Sequence, residues 1–223
     1  MITVSKEDYL KAILEAESEG EPVISTRLAR WLSVSRPAVS MALQRLVRDG
    51  LVRVHGRLLS LTPSGRRIAS KLALRHHLIE RMLSEVFGME WYRVHDEAER
   101  LEHGVSPAFE ERLLARLGHT GPCPHGNFSE GETPDSRRSR GLLLLAEAEP
   151  GKKYVVSGIY ERNRHLLEFL DGCGVRPGAH IQVKGRDHKQ ALTLSTDAGA
   201  VAIGRAAAKR VWVSAGRVRR PSR

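Results

Sequence analysis

Apolar residues in the N-terminal half of the chain recur at three- and four-residue steps, broken once by a short alternating stretch. Tyr9, Ala12, Ile13 and Ala16 share a face of a helix predicted from Ser5 to about Ser18, with Ser5 and Asp8 spaced as a capping box. Gly20-Glu21-Pro22 ends it, and Ser25 caps a short second helix holding Leu28, Ala29 and Leu32. Ser33-Val34-Ser35 turns the chain. Ser35 caps a third helix, with Pro37 tolerated in its first turn, Val39, Ala42, Leu43 and Leu46 inward, and a stop at Asp49-Gly50. Two alternating strands, Leu51–His55 and Leu58–Leu61, join at Gly56. Thr62-Pro63 opens a long amphipathic helix through Ile68, Leu72, Ile79, Met82 and Leu83 to Phe87-Gly88.

Further helices are predicted from about Tyr92 to His103 and from Ser106-Pro107 to Leu117-Gly118. The Gly-, Pro- and Ser-rich stretch from His119 to Arg140 reads as an irregular linker. Beyond it come short strands at Leu142–Ala146, Tyr154–Ile159, Ile181–Lys184, Leu192–Ser195, Val201–Ile203 and Val211–Val213, interrupted by one helix at about Arg164–Gly172. The fold expected is mainly α with a small β domain: a winged helix-turn-helix over 1–62, a helical domain with its linker over 63–136, and a small β-barrel with a basic tail over 137–223.

Composition narrows the function. The two cysteines, Cys123 and Cys173, cannot make a disulfide scaffold, so a reducing cytoplasm is the expected compartment. The N-terminus has no signal-peptide core, and the longest aliphatic run, Leu142 to Ala146, is too short to span a membrane. Secreted, membrane-embedded and fibrous classes are excluded. The formal net charge of +10 is unevenly spread. Val23 to Arg75 holds eleven Lys or Arg and one acid, Asp49, whereas His76 to Arg112 holds nine acids, four arginines and four histidines. Arg217, Arg219, Arg220 and Arg223 add a basic tail. The first segment is suited to phosphates and the second to cations.

Three short helices and a two-stranded wing describe a DNA-binding unit whose third helix enters the major groove of an operator. Ser35, Arg36, Pro37, Ala38, Ser40 and Met41 would face base edges, and Arg27, Arg45, Arg48 and Arg57 would touch phosphates. In the acidic segment, His95, Glu99, Glu102 and His103 fall on an arc of about 100° of one helix. His76 and Glu80, spaced i, i+4, share a face of the preceding helix. Histidines and carboxylates at such spacings suit a divalent metal, although a charged stripe is more often a solvated face.

These motifs resemble the diphtheria toxin repressor family of metal-dependent transcriptional regulators. Glu7-Asp8-Tyr9-Leu10-Lys11-Ala12-Ile13 is similar to its first helix, and Val34-Ser35-Arg36-Pro37-Ala38-Val39-Ser40 to its recognition helix. Arg75-His76-His77-Leu78-Ile79-Glu80-Arg81, the string from His95 to His103 and Cys123-Pro124-His125-Gly126-Asn127 resemble its metal-binding region. The last seventy-odd residues resemble its SH3-like domain. The resemblance implies a primary site of Asp8, Glu99, Glu102 and His103 and a second site of His76, Glu80 and His95, completed by Glu161 and His165. Glu99, where iron-responsive relatives carry Cys, points to the manganese-responsive branch: Mn(II) first, Fe(II) second. Some manganese regulators have Glu where this chain has Lys11, so their binuclear arrangement is not carried over. Cys123 is taken as structural.

The function implied is a metal-activated homodimeric repressor that binds a double-stranded DNA operator upstream of metal-uptake genes and has no membrane partner. Without metal, repulsion among Asp8, Glu99 and Glu102 is expected to leave the first helix loosely docked. The competing readings are a winged-helix regulator that senses an organic ligand and, ranked last, a metallohydrolase; no nucleophile or phosphate loop accompanies the cluster.

Overall fold

Ser35, Ser106 and Asn163 each accept a backbone N–H at the start of a helix, so three of the helix starts are side-chain capped. The computed structural model describes residues 6–188 and 190–216. Ser5 of the expected capping box and the tail arginines lie outside them. The helical periodicity is realised in α1 (Lys6–Ser18), α2 (Ser25–Trp31) and α3 (Arg36–Arg48). Ser33, at φ 53°, makes the turn between α2 and α3. β1 (Val52–His55) and β2 (Leu58–Leu61) pair antiparallel, with His55 opposite Leu58 across Gly56-Arg57. Gly56 takes the positive φ of 61° that this tight wing tip requires. Leu10, Ile13, Leu14, Leu28, Val39, Leu46, Val52 and Leu59 form the core beneath these elements.

α4 (Pro63–Arg81) follows and runs into a π-helical turn at Met82–Val86. α5 (Val94–Leu101) and α6 (Pro107–Leu117) come next. α5 stops earlier than expected, because the chain turns at Leu101-Glu102-His103-Gly104, where Gly104 N–H donates to the Leu101 carbonyl at 2.9 Å. Glu102 and His103 therefore do not continue the helical face of His95 and Glu99. The stretch from His119 to Arg140 is not wholly irregular either. It contains α7 (Pro134–Ser139), held by the buried Arg137, whose guanidinium lies 5.2 Å from the Trp212 ring centroid.

The remaining elements are β3 (Leu142–Leu144), β4 (Lys153–Ile159), α8 (Arg164–Gly172), β5 (His180–Arg186), β6 (Leu192–Thr196), β7 (Gly199–Ile203), α9 (Arg205–Ala208) and β8 (Val211–Ala215). The short α9 was not anticipated by the periodicity. The six strands form one antiparallel sheet in the order β3-β8-β4-β5-β6-β7. The expected barrel is not closed among the described residues: β3 passes after three residues into a 3-10 turn at Leu145–Glu147, and its ladder is with β8. Val156, Ile159, Leu167, Leu170, Val183, Leu194 and Val213 fill the core of this SH3-like domain.

The contacts divide the chain into two units. The first runs to Ile79 and includes Leu101–His119 and Phe128–Pro134; the second comprises Glu80–Arg100, Thr120–Asn127 and the chain from Asp135 onward. No described helix is long and apolar enough to cross a membrane.

Candidate metal centres and DNA-binding face

In the first unit, α1 buries Tyr9, Leu10, Ala12 and Ile13 in the core, which fixes the direction in which Asp8 and Lys11 project. Asp8 Oδ1 lies 2.7 Å from His103 Nε2, and His103 Nε2 lies 3.7 Å from Glu102 Oε1. These three side chains can offer one ligand atom each within 4.8 Å of one another. Glu102, only 2% exposed, also receives both Lys11 Nζ, at 2.7 and 2.8 Å, and His76 Nδ1 at 2.7 Å. Burial alone would raise the Glu102 carboxyl, but the His76 hydrogen bond and the Lys11 charge outweigh it and hold the group at about 2. Arg75 braces the turn from behind, donating to Glu110 at 2.7 Å and to the Glu102 carbonyl at 3.4 Å.

The second unit holds another cluster. Glu80 Oε1 lies 3.2 Å from His95 Nδ1 and 3.4 Å from His125 Nδ1. His125 Nδ1 lies 3.7 Å from Glu161 Oε2, and Cys123 Sγ lies 3.5 Å from that same oxygen. All five residues are buried, Glu80 and His125 at 0% exposure. Ligand atoms bound to one ion at roughly 2.0–2.3 Å must themselves lie roughly 3–4 Å apart, the spacing of these neighbouring pairs, and Glu80, Cys123 and Glu161 can each offer an atom within 4.8 Å of one another, so these donors suit a divalent metal. Glu80 and His125 are engaged through Oε1 and Nδ1, while Glu80 Oε2 and His125 Nε2 are buried without a hydrogen bond. Atoms of that kind are costly unless something else meets them.

A turn and a strand irregularity assemble this second cluster. Gly126 N–H donates to the Cys123 carbonyl at 2.8 Å, and Cys123 N–H to the Asn127 carbonyl at 2.9 Å. Gly126 adopts φ 85°, and a Cβ there would meet the Ser157 carbonyl oxygen at 2.1 Å. The turn thus sits on β4 where its register against β8 shifts between Val156 and Gly158. Asn127 Nδ2 donates to the Ile159 carbonyl at 3.0 Å and to Glu161 Oε2 at 2.6 Å, which aims the carboxylate inward. Burial, then the Glu80 and Glu161 charges, push the Cys123 thiol well above its ordinary range.

The expected site residues lie in the following surroundings. Cys123 is not outside the ligand-type residues; it lies among them. His125, to which the sequence pattern gives no role, lies among them too, and its signal is the motif Cys123-Pro124-His125-Gly126-Asn127. His165 does not join the cluster: it is 96% exposed, with Glu168 at 3.7 Å. The Asn163 cap sets α8 so that Leu167 and Leu170 face the core and His165 faces solvent. Glu99 stands in the second unit, with its Oε1 3.1 Å from Arg162 Nη2 and 3.7 Å from His95 Nε2. Glu102 faces Lys11 and Glu99 faces Arg162, so each of these two carboxylates has a cation beside it.

On the winged helix, Ser35, Arg36, Pro37, Ser40, Met41, Arg45 and Arg48 are exposed on or beside α3, Ala38 is half-buried, and Arg57 is exposed at the wing tip. Ser35 Oγ is already committed as the cap, accepting the Ala38 N–H at 3.3 Å. Arg27 is paired with Glu21 at 2.7 Å.

Family models agree with this layout. The model described as the iron dependent repressor N-terminal DNA binding domain matches residues 1–58. That of the iron dependent repressor metal binding and dimerisation domain matches 62–129, and that of the FeoA domain 143–215. The chain is 34% identical over 190 residues to the iron-dependent repressor IdeR of Mycobacterium leprae, covering 80% of this chain and 83% of that one. It is 33% identical over 195 residues to the diphtheria toxin repressor of Corynebacterium diphtheriae, covering 81% and 84%. A solved manganese-dependent transcriptional repressor in complex with manganese superposes with a TM-score of 0.83 at 31% identity, over 95% of this chain and 100% of the other. ScaR with bound Zn2+ superposes with a TM-score of 0.77 at 30% identity, over 96% and 100%. The chain belongs to the iron-dependent, or diphtheria toxin, repressor family, whose members are DNA-binding transcriptional repressors and not enzymes.

Proposed function

We propose that this protein is a homodimeric cytoplasmic repressor whose binding to a double-stranded operator is activated by Mn(II), with Fe(II) as the alternative ion, and that its targets are metal-uptake genes. The observation that carries the reading is the meeting of Asp8, on the first helix of the winged domain, with Glu102 and His103. A divalent ion bound there supplies the charge and the fixed directions that tie these ligands together. Asp8 then anchors α1, and with it the recognition helix, to the turn after α5. The site has carboxylate and imidazole donors and no thiol, which suits Mn(II) or Fe(II).

Glu80, His95, Cys123, His125 and Glu161 form the second site in this reading, with His76 and Glu80 carried within one turn of α4. Because Cys123 must lose a proton to ligate, metal affinity there rises with pH below the raised thiol pKa. In metal-free protein at neutral pH, iodoacetamide modifies the half-buried Cys173 before Cys123, as read by peptide mass spectrometry. Faster labelling of Cys123 would contradict its placement. The domain limits 1–62, 63–136 and 137–223 are proposed with this function; the family models, matching 1–58, 62–129 and 143–215, support them.

The test is fluorescence anisotropy on DNA from upstream of the protein's own gene and of neighbouring transporter genes, at fixed salt. Saturable binding that appears with Mn(II) or anaerobic Fe(II) and vanishes with chelator is expected. Binding indifferent to every metal on all fragments would refute the reading, and would favour a winged-helix sensor of an organic ligand.

A further inference from the structure

Lys11 is the least expected residue of the first cluster. Long charged side chains are almost never fully buried unless paired, and this one is 3% exposed. It follows Asp8 by three residues on α1, so both project from neighbouring positions of one helix face. Its Nζ donates to both oxygens of Glu102, at 2.7 and 2.8 Å, and lies 3.4 Å from His76 Nδ1. His76 Nδ1 is in turn 2.7 Å from Glu102 Oε2. An ionised carboxylate has about four lone-pair positions, and these two partners use three of them.

An ammonium and a divalent ion want the same lone pairs and repel each other across the few ångströms between Glu102 and His103. We propose that Lys11 is a tethered competitor for metal: its ammonium holds Glu102 in the metal-free protein, and a divalent ion must work against that charge to bind Asp8, Glu102 and His103. Lys11 thereby sets the metal concentration at which the first site fills. The inference rests on the reading of Asp8, Glu102 and His103 as ligands.

The test is Mn(II) titration of the full-length protein, with free Mn(II) followed by its electron paramagnetic resonance signal. The His103→Ala variant identifies which binding step belongs to this site. For Lys11→Gln, that His103-dependent step tightens by about tenfold or more, whereas Lys11→Arg, which keeps the charge, stays near the wild-type value. A purely structural lysine predicts the opposite sign, because disturbing the packing would weaken binding. Unchanged or weaker binding in Lys11→Gln, with the His103-dependent step intact in the wild type, overturns the competitor. If His103→Ala retains every binding step, the ligand reading fails first and the competitor falls with it. Should Lys11→Gln not fold in chelator by circular dichroism, Lys11→Met, of similar shape, replaces it. If that variant also needs metal to fold, refolding at lower Mn(II) than the wild-type binding midpoint supports the inference, and failure to refold overturns it.

Discussion

Glu102→Ala lowers the stability of the metal-free protein by about 3–5 kcal/mol, the range for removing one partner of a buried ion pair. The carboxylate is 2% exposed and carries Lys11 and His76, which are 3% and 1% exposed. Without it, a buried ammonium 3.4 Å from the His76 imidazole loses its carboxylate. Chemical denaturation in chelator measures the loss, and Mn(II) does not restore it if Glu102 is a ligand. The double variant Lys11→Met with Glu102→Leu recovers most of the stability, because an apolar replacement removes both desolvation penalties together. A loss for Glu102→Ala below about 1 kcal/mol, the size of a surface pair, would mean that water reaches the cluster.

Gly126→Ala is expected to destabilise the second unit by about 2–5 kcal/mol, combining a left-handed backbone with a close overlap. The residue sits at φ 85°, and its new Cβ would lie 2.1 Å from the Ser157 oxygen and 2.8 Å from Gly158 Cα. Neither obstacle is the end of a flexible side chain, so the backbone of the turn has to shift. That moves Cys123 and His125 away from Glu80 and Glu161. Thermal unfolding reads the first consequence. Co(II) titration reads the second: the near-ultraviolet sulfur-to-cobalt band expected for the wild type is absent in Gly126→Ala. Retention of that band with wild-type intensity would show that the turn does not position the thiol.

The sequence by itself determined the elements that depend on short-range chemistry. Ser35 with Pro37, and Ser106 with Pro107, announce capped helices, and Gly56 announces the wing turn, because each acts through backbone groups within a few residues. The basic run, with Asp49 as its one acid, marked the DNA-binding face, and histidines beside carboxylates marked metal-binding chemistry. Helical spacing could not say which ligands meet. It put His95, Glu99, Glu102 and His103 on one face, but α5 ends at Leu101, and Glu102 turns toward Lys11, 91 residues away in the chain. Glu99 stays beside Arg162, 63 residues away.

Only the tertiary structure decided that Cys123 and His125 belong with Glu80, His95 and Glu161. That meeting needs a glycine turn lying on the irregular part of β4, and nothing in local periodicity encodes it. Nor could the pattern show that Glu102 meets an internal cation. A lysine in a helix reads as a solvated charge, and Lys11 became an internal cation because α1 faces the core there while its ammonium reaches a buried carboxylate. Caps and periodicities follow from energies within one or two turns of chain. Ligand sets follow from the course of the whole backbone.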